Sequence, residues 1–131
     1  MRQVQIQSRS DLNAMLQIEA DEKAEGGASH LYAIKYAGPA TCAGQYGENI
    51  YPDVDVRIHF QKGAMKEVGF NGISDEALIA IVIDRLRGFQ SGPFSCRENA
   101  LALTKLEEAM MWLDHRTRDR MARGVEGVSV A

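Results

Sequence analysis

The C-terminal half of the chain constrains the fold most. Ser74 opens "SDEALIAIVIDRLRGFQ", with Asp75 and Glu76 in a first turn where the helix dipole favours acids. Leu78, Ile79, Ile81, Val82, Ile83 and Leu86 cover more than one side of that helix. Such a distribution predicts burial on two faces. Gly88 and "SGP" end the helix, and Ser95 with Glu98 forms the capping-box pattern of the next one. The second helix is predicted to run to about Arg123, where Gly124 stops it. Its Leu103, Leu106, Met110 and Leu113 follow 3–4–3 spacing, the seam of a helix packed against a neighbour. A helical hairpin over residues 73–124 follows.

The front half alternates instead. "QVQIQ" at 3–7 fits a short edge strand, and Ser10 is placed to cap a helix over roughly 11–24, with Leu12, Met15, Leu16 and Ile18 on one side. "EGGASH" stops that helix, "LYAIKY" reads as a strand, and "AGPATCAGQYGENIYPD" (37–53) as a Gly-rich loop. "VDVRIHFQ" places Val54, Val56, Ile58 and Phe60 on one face. With "MKEVGF" after "KGA", residues 54–70 are predicted to form an antiparallel hairpin. The expectation is an α+β fold: an antiparallel sheet region with a short helix, then a two-helix hairpin. With 131 residues it is read as one domain, residues 1–72 being the strand-rich part.

Composition narrows the function. The net charge of -3 and pI near 5.6 argue against a general nucleic-acid or membrane-surface binder. "MRQVQIQSRSD" lacks the apolar core of a signal peptide, and no run approaches membrane-spanning length, so a cytoplasmic protein is expected. Phosphate-loop, dinucleotide-fold, zincin and nucleophile-elbow motifs are all missing. His30, His59 and His115 are scattered, Cys42 and Cys96 lack zinc spacing, and reduced thiols are expected. Cys96, in the first turn of a helix, is a conceivable nucleophile, but no base is implied beside it. No catalytic site, metal or cofactor emerges.

Four arginines do stand out. "WLDHRTRDRMARGVEG" (112–127) places Arg116, Arg120 and Arg123 at i, i+4 and i+7 on one helix face, with Arg118 turned toward Asp114. Complementation of the helix dipole accounts for cations here. Lysine would serve that purpose equally, however, whereas arginine alone offers bidentate phosphate recognition. Phe89 beside Gly88 is either a core aromatic or a stacking platform. Asn99 is an indifferent helix former but an apt hydrogen-bonder to a base edge or ribose. Asn99 and Arg116 are seventeen residues apart, about 25 Å along one helix at roughly 1.5 Å per residue. A small ligand touching both ends therefore requires two chains with antiparallel long helices, giving intersubunit sites in pairs.

Residues 57–127, above all "FQSGPFSCREN" and "RTRDRMARGVEG", resemble the phage anti-Thoeris sponges, whose helical hairpin is shared with phage anti-CBASS sponges. The resemblance implies a protein that is not an enzyme. It implies sequestration of cyclic ADP-ribose isomers made by TIR-domain proteins, in the host bacterial cytoplasm. It places the family's base-stacking aromatic on Phe89, its polar nucleoside contact on Asn99 and its phosphate-binding arginine pair on Arg116 and Arg120. It also implies homodimers or hexamers, some of which hold CBASS cyclic oligonucleotides in separate pockets. Two other readings stand beside it: a helical-hairpin dimer serving as a regulatory or protein-interaction module, and a nucleotide hydrolase or cyclase, for which no acid–base pair is visible.

Overall fold

The computed structural model describes residues 1–42 and 49–131. The chain falls into two compact units, residues 1–60 and 61–131. The fold is α+β, with an N-terminal antiparallel sheet and C-terminal helices.

The first unit is built on a four-stranded antiparallel sheet. Its strands are β1 (Arg2–Val4), β2 (Leu16–Ala20), β3 (Leu31–Tyr36) and β6 (Asp55–His59), in the spatial order β1-β2-β3-β6. Pairing Val4 with Ile18, Ile18 with Ile34 and Ile34 with Val56 aligns one apolar row across all four strands. A one-residue slip would turn that row to the opposite face, so the register decides which side of the sheet carries it. Val56 and Ile58 of the predicted alternation lie opposite Ile34 and Tyr32 of β3. The ring of Phe60 meets Tyr32 edge-on at 5.5 Å. Within the expected loop 37–53, β4 (Thr41–Cys42) and β5 (Asn49–Ile50) pair with each other. Residues 43–48 of that loop lie outside the described residues.

Two expectations fail in instructive ways. The helix over 11–24 shrinks to α1 (Asp11–Ala14), one turn capped by Ser10, whose Oγ accepts from the Asn13 N–H at 3.4 Å. Leu16, Ile18 and Ala20 also alternate with a period of two, and their pairing with Tyr36, Ile34 and Tyr32 wins over the local helical spacing. "MKEVGF" is not a strand either. Met65–Val68 form the helical turn α2, between Gly63 and Gly69, whose φ angles are +86° and +80°. Gln61 and Asn71 clasp this loop: Gln61 Nε2 donates to the Gly69 carbonyl at 2.7 Å, and the Lys62 N–H donates to Asn71 Oδ1 at 2.8 Å. β6 pairs with β3 instead.

The second unit carries the hairpin: α3 (Asp75–Gln90) and α4 (Arg97–Ala122). Ser74 caps α3 by accepting from the Ala77 N–H at 3.2 Å. α3 runs through Gly88 to Gln90 and ends at Ser91. The capping residue of α4 is Cys96 rather than Ser95, its Sγ accepting from the Asn99 N–H at 3.4 Å. The Gln90 side chain explains the shift. It donates to the Cys96 carbonyl at 3.1 Å and accepts from the Cys96 N–H at 3.0 Å, pinning Cys96 in the extended conformation a cap requires. Of the apolar residues of α3, only Ile83 is buried, while Ile81 and Val82 are exposed. The burial on two faces expected from the sequence is therefore not found within one chain, where the Ile81 and Val82 side stays uncovered.

Candidate ligand-binding site on the helical hairpin

The hairpin presents its candidate residues at two places along α4. Phe89 ends α3 and Asn99 sits in the first turn of α4, so both belong to the connector end. Phe89 is 39% exposed, with the Arg85 guanidinium over its ring at 5.5 Å from the centroid. That ring is therefore available for stacking and already engages a cation through one face. Asn99 is half-buried, and its side-chain amide makes no hydrogen bond among the described residues. Neither residue is committed to the core.

Arg116 and Arg120 lie near the other end. α4 is uninterrupted from Arg97 to Ala122, which keeps Asn99 and Arg116 about 25 Å apart at roughly 1.5 Å per residue. Arg116 is exposed and has no hydrogen bond or ion pair among the described residues. Arg118 pairs with Asp114 at 3.0 Å, as its spacing predicts, and Arg123 pairs with Asp119 at 3.1 Å.

Arg120, by contrast, is only 7% exposed. Its Nε meets Glu126 Oε2 at 3.3 Å, its Nη2 donates to the carbonyls of Val125 and Val128 at 2.9 Å each, and its Nη1 donates to the Val130 carbonyl. Gly124, at φ +70°, turns the chain back so that these carbonyls can converge. Arg116 and Arg120 share a helix face, but only Arg116 stands free.

Sequence reasoning also passed over Trp112. It is 60% exposed and stacks obliquely on His115, with ring centroids 5.8 Å apart. It lies one turn before Arg116, on the same face. Its signal was available: the chain has a single tryptophan, and it falls off the Leu103–Leu113 seam. Among the described residues no cluster of His, Cys, Asp and Glu could hold a metal ion, and Cys96 is an exposed free thiol. Among the described residues no helix is long and apolar enough to cross a membrane.

Among the described residues of this helical hairpin, an exposed aromatic and an amide without a hydrogen bond thus lie at one end of α4, and an unpaired guanidinium lies near the other. The hairpin itself places the chain in a known group: residues 52–118 match the model of the Acb2/Tad1 hairpin domain, and the chain belongs to that family. The matched span includes Phe89, Asn99 and Arg116 and stops just before Arg120. Over 70 residues the chain is 59% identical to "Thoeris anti-defense 1" of Bacillus phage SBSphiJ7. That alignment covers 53% of this chain and 49% of the phage protein, about half the length of each.

Proposed function

We propose that the protein is a phage immune-evasion sponge that captures cyclic ADP-ribose isomers produced by Thoeris TIR proteins and holds them without degrading them. It would act in the cytoplasm of the infected bacterium. The observation that carries this reading is the match of residues 52–118, which include Phe89, Asn99 and Arg116, to the Acb2/Tad1 hairpin domain; the 59% identity over 70 residues to an anti-Thoeris protein supports it. Phe89 supplies a face for adenine, Asn99 a polar contact to the nucleoside, and Arg116 a fork for phosphate. Arg120 is the second arginine of the pair, at present engaged with its own chain.

Affinity favours enclosure by two chains. A ligand of about 35 non-hydrogen atoms at about -0.3 kcal/mol per atom yields about -10 kcal/mol. Nanomolar capture needs about -12 kcal/mol. The exposed Ile81, Val82, Met111 and Trp112 supply an apolar surface for the second copy. The protein is therefore a homodimer or a hexamer, with each pocket drawing Phe89 and Asn99 from one chain and Arg116 from another. Light scattering at micromolar concentration should show an even-numbered oligomer; a stable monomer would rule out the shared pocket.

The test of function is a calorimetric titration with cyclic ADP-ribose isomers and with cyclic di- and trinucleotides, followed by heat denaturation and chromatography of the released ligand. Tight binding and intact recovery are expected. Altered nucleotide would indicate an enzyme. The same exposed apolar surface favours one alternative, a hairpin that serves as a regulatory or protein-interaction module, and absence of heat with every nucleotide in the panel would favour it.

A further inference from the structure

Residues 125–131 fold back over the last turn of α4 and are held there mainly by polar contacts. Glu67 of α2 accepts from the Ser129 hydroxyl at 2.8 Å and from its N–H at 3.3 Å. The Lys66 N–H donates to the Gly127 carbonyl at 2.9 Å, and Arg123 Nη1 donates to the Ala131 carbonyl at 2.8 Å. Apolar burial contributes less, since Val130 is exposed and Val125 and Val128 are only half-buried. Such a segment can open at low cost compared with the hairpin core.

What it holds is the Arg120 guanidinium. A phosphate taken in bidentate fashion needs two N–H groups along one edge of the fork. Here Nε is on the Glu126 carboxylate, Nη2 is on two carbonyls and Nη1 is on a third. Every nitrogen already has an acceptor, and one of those acceptors is an anion. An incoming phosphate meets both occupied donors and the charge of Glu126.

We propose that segment 125–131 is an internal competitor for Arg120. Its carbonyls and the Glu126 carboxylate occupy the positions that ligand phosphate oxygens take, so capture requires the segment to release, and Glu126 sets how readily it does. This rests on the reading of the hairpin as a phosphate-binding site. Apparent affinity is the intrinsic affinity scaled by the released fraction. Weakening the segment therefore tightens binding.

Two substitutions weaken it while leaving Arg116 and Arg120 themselves in place. Glu126→Gln removes the competing charge and keeps the shape. Gly127→Val places a side chain at φ +81°, where a Cβ would lie 2.9 Å from Lys66 Cγ and 3.0 Å from Met65 Cε. Each variant and the wild type would be titrated with the same panel of cyclic ADP-ribose isomers, with circular dichroism melts as the folding control. Tighter binding by both variants is expected, by about tenfold if the released fraction is near one-tenth. Hydrogen exchange of residues 125–131 in the wild type should accelerate when ligand binds. Should Gly127→Val fail to fold, Glu126→Gln decides alone.

Binding by the wild type with equal or weaker binding by the variants would overturn the proposal, as would slower exchange in 125–131 with ligand. Arg120 would then be a scaffold residue, while the ligand reading would stand. Binding by the variants alone would support full occlusion by the segment. If no form binds any isomer, the ligand reading fails and the competitor falls with it.

Discussion

The two ends of α4 answer different demands. At the connector end Phe89 and Asn99 are held by their backbones, through the helix caps and the Gln90 clasp on Cys96; the Phe89 ring meets the Arg85 cation, and the Asn99 amide makes no hydrogen bond among the described residues. At the other end the side chain of Arg120 is itself the fastener, gathering Glu126 and three carbonyls. Arg116, one turn earlier, has none of these partners. Identical residues on one face thus differ in availability. Residue type and spacing indicate what a side chain can bind; the acceptors already around it decide whether it is free to do so.

The largest effect should come from separating these two arginines. Arg120→Ala leaves Glu126 and three carbonyls without their donor. The segment can hydrate as it comes loose, so the cost falls somewhat below that of breaking a fully buried ion pair, at about 2–4 kcal/mol. Arg116→Ala should change stability by no more than about 0.5 kcal/mol, as an exposed substitution does. Urea unfolding followed by circular dichroism measures both. Equal losses would erase the contrast between buried and free arginine. The pair Arg116→Ala, Arg120→Ala is correspondingly a poor binding test, because it loses structure together with charge.

Next in size are the defects at opposite ends, read by mixing them. Phe89→Ala should weaken binding by about 1–3 kcal/mol, the range for base–aromatic stacking. Arg116→Ala should weaken it by about 1.5–3 kcal/mol, as loss of a charge-assisted contact does. A homodimer of either variant carries one defect in each pocket. In a heterodimer of the two, an antiparallel shared pocket gives one site with both native residues and one with both defects. The purified heterodimer should bind one ligand at nearly the affinity of the unmodified protein. Two equally weakened sites would place the pocket within a single chain.

The sequence was most legible where local signals agree. Ser74 with its following acids, and the 3–4–3 leucine seam, all point to helices, and α3 and α4 form there. It misled where two periods overlap. Leu12, Met15, Leu16 and Ile18 suggest a helix, while Leu16, Ile18 and Ala20 suggest a strand, and cross-strand partners distant in sequence decided between them. Residues 65–68 were misread because an extended pattern sits between two glycines that turn the chain at positive φ. The burial of Arg120 was beyond reach for another reason. Its acceptors are mostly backbone carbonyls, which every residue has, so "VEGVSV" carries no composition that announces them.

A smaller effect tests how the connector end is held. Cys96→Ala removes the Sγ acceptor that caps α4 and should cost about 0.5–1 kcal/mol, toward the lower part of the range for capping residues because sulfur accepts weakly. Cys96→Ser should keep or slightly raise stability. Thermal melting of the two variants separates them. A large loss from the serine variant would show that the thiol packs rather than caps.

The smallest effect expected is also the control for the arginine end. Arg118 pairs with Asp114 at 3.0 Å, and both side chains are mostly in solvent. An exposed i,i+4 pair contributes about 0.3–0.5 kcal/mol, so Arg118→Ala should barely move the unfolding midpoint. It should also leave ligand affinity unchanged, because its guanidinium is turned from the Arg116 face toward a carboxylate that already neutralises it. Arg116→Ala removes the same formal charge two positions away. If the site works by directed contact, only Arg116→Ala weakens capture. If diffuse positive potential at this end of α4 attracts the anion, both substitutions weaken it alike, and the loss fades as salt screens the field over a Debye length of about 10 Å at 0.1 M. Titrating both variants at low and high ionic strength distinguishes a fork from a field.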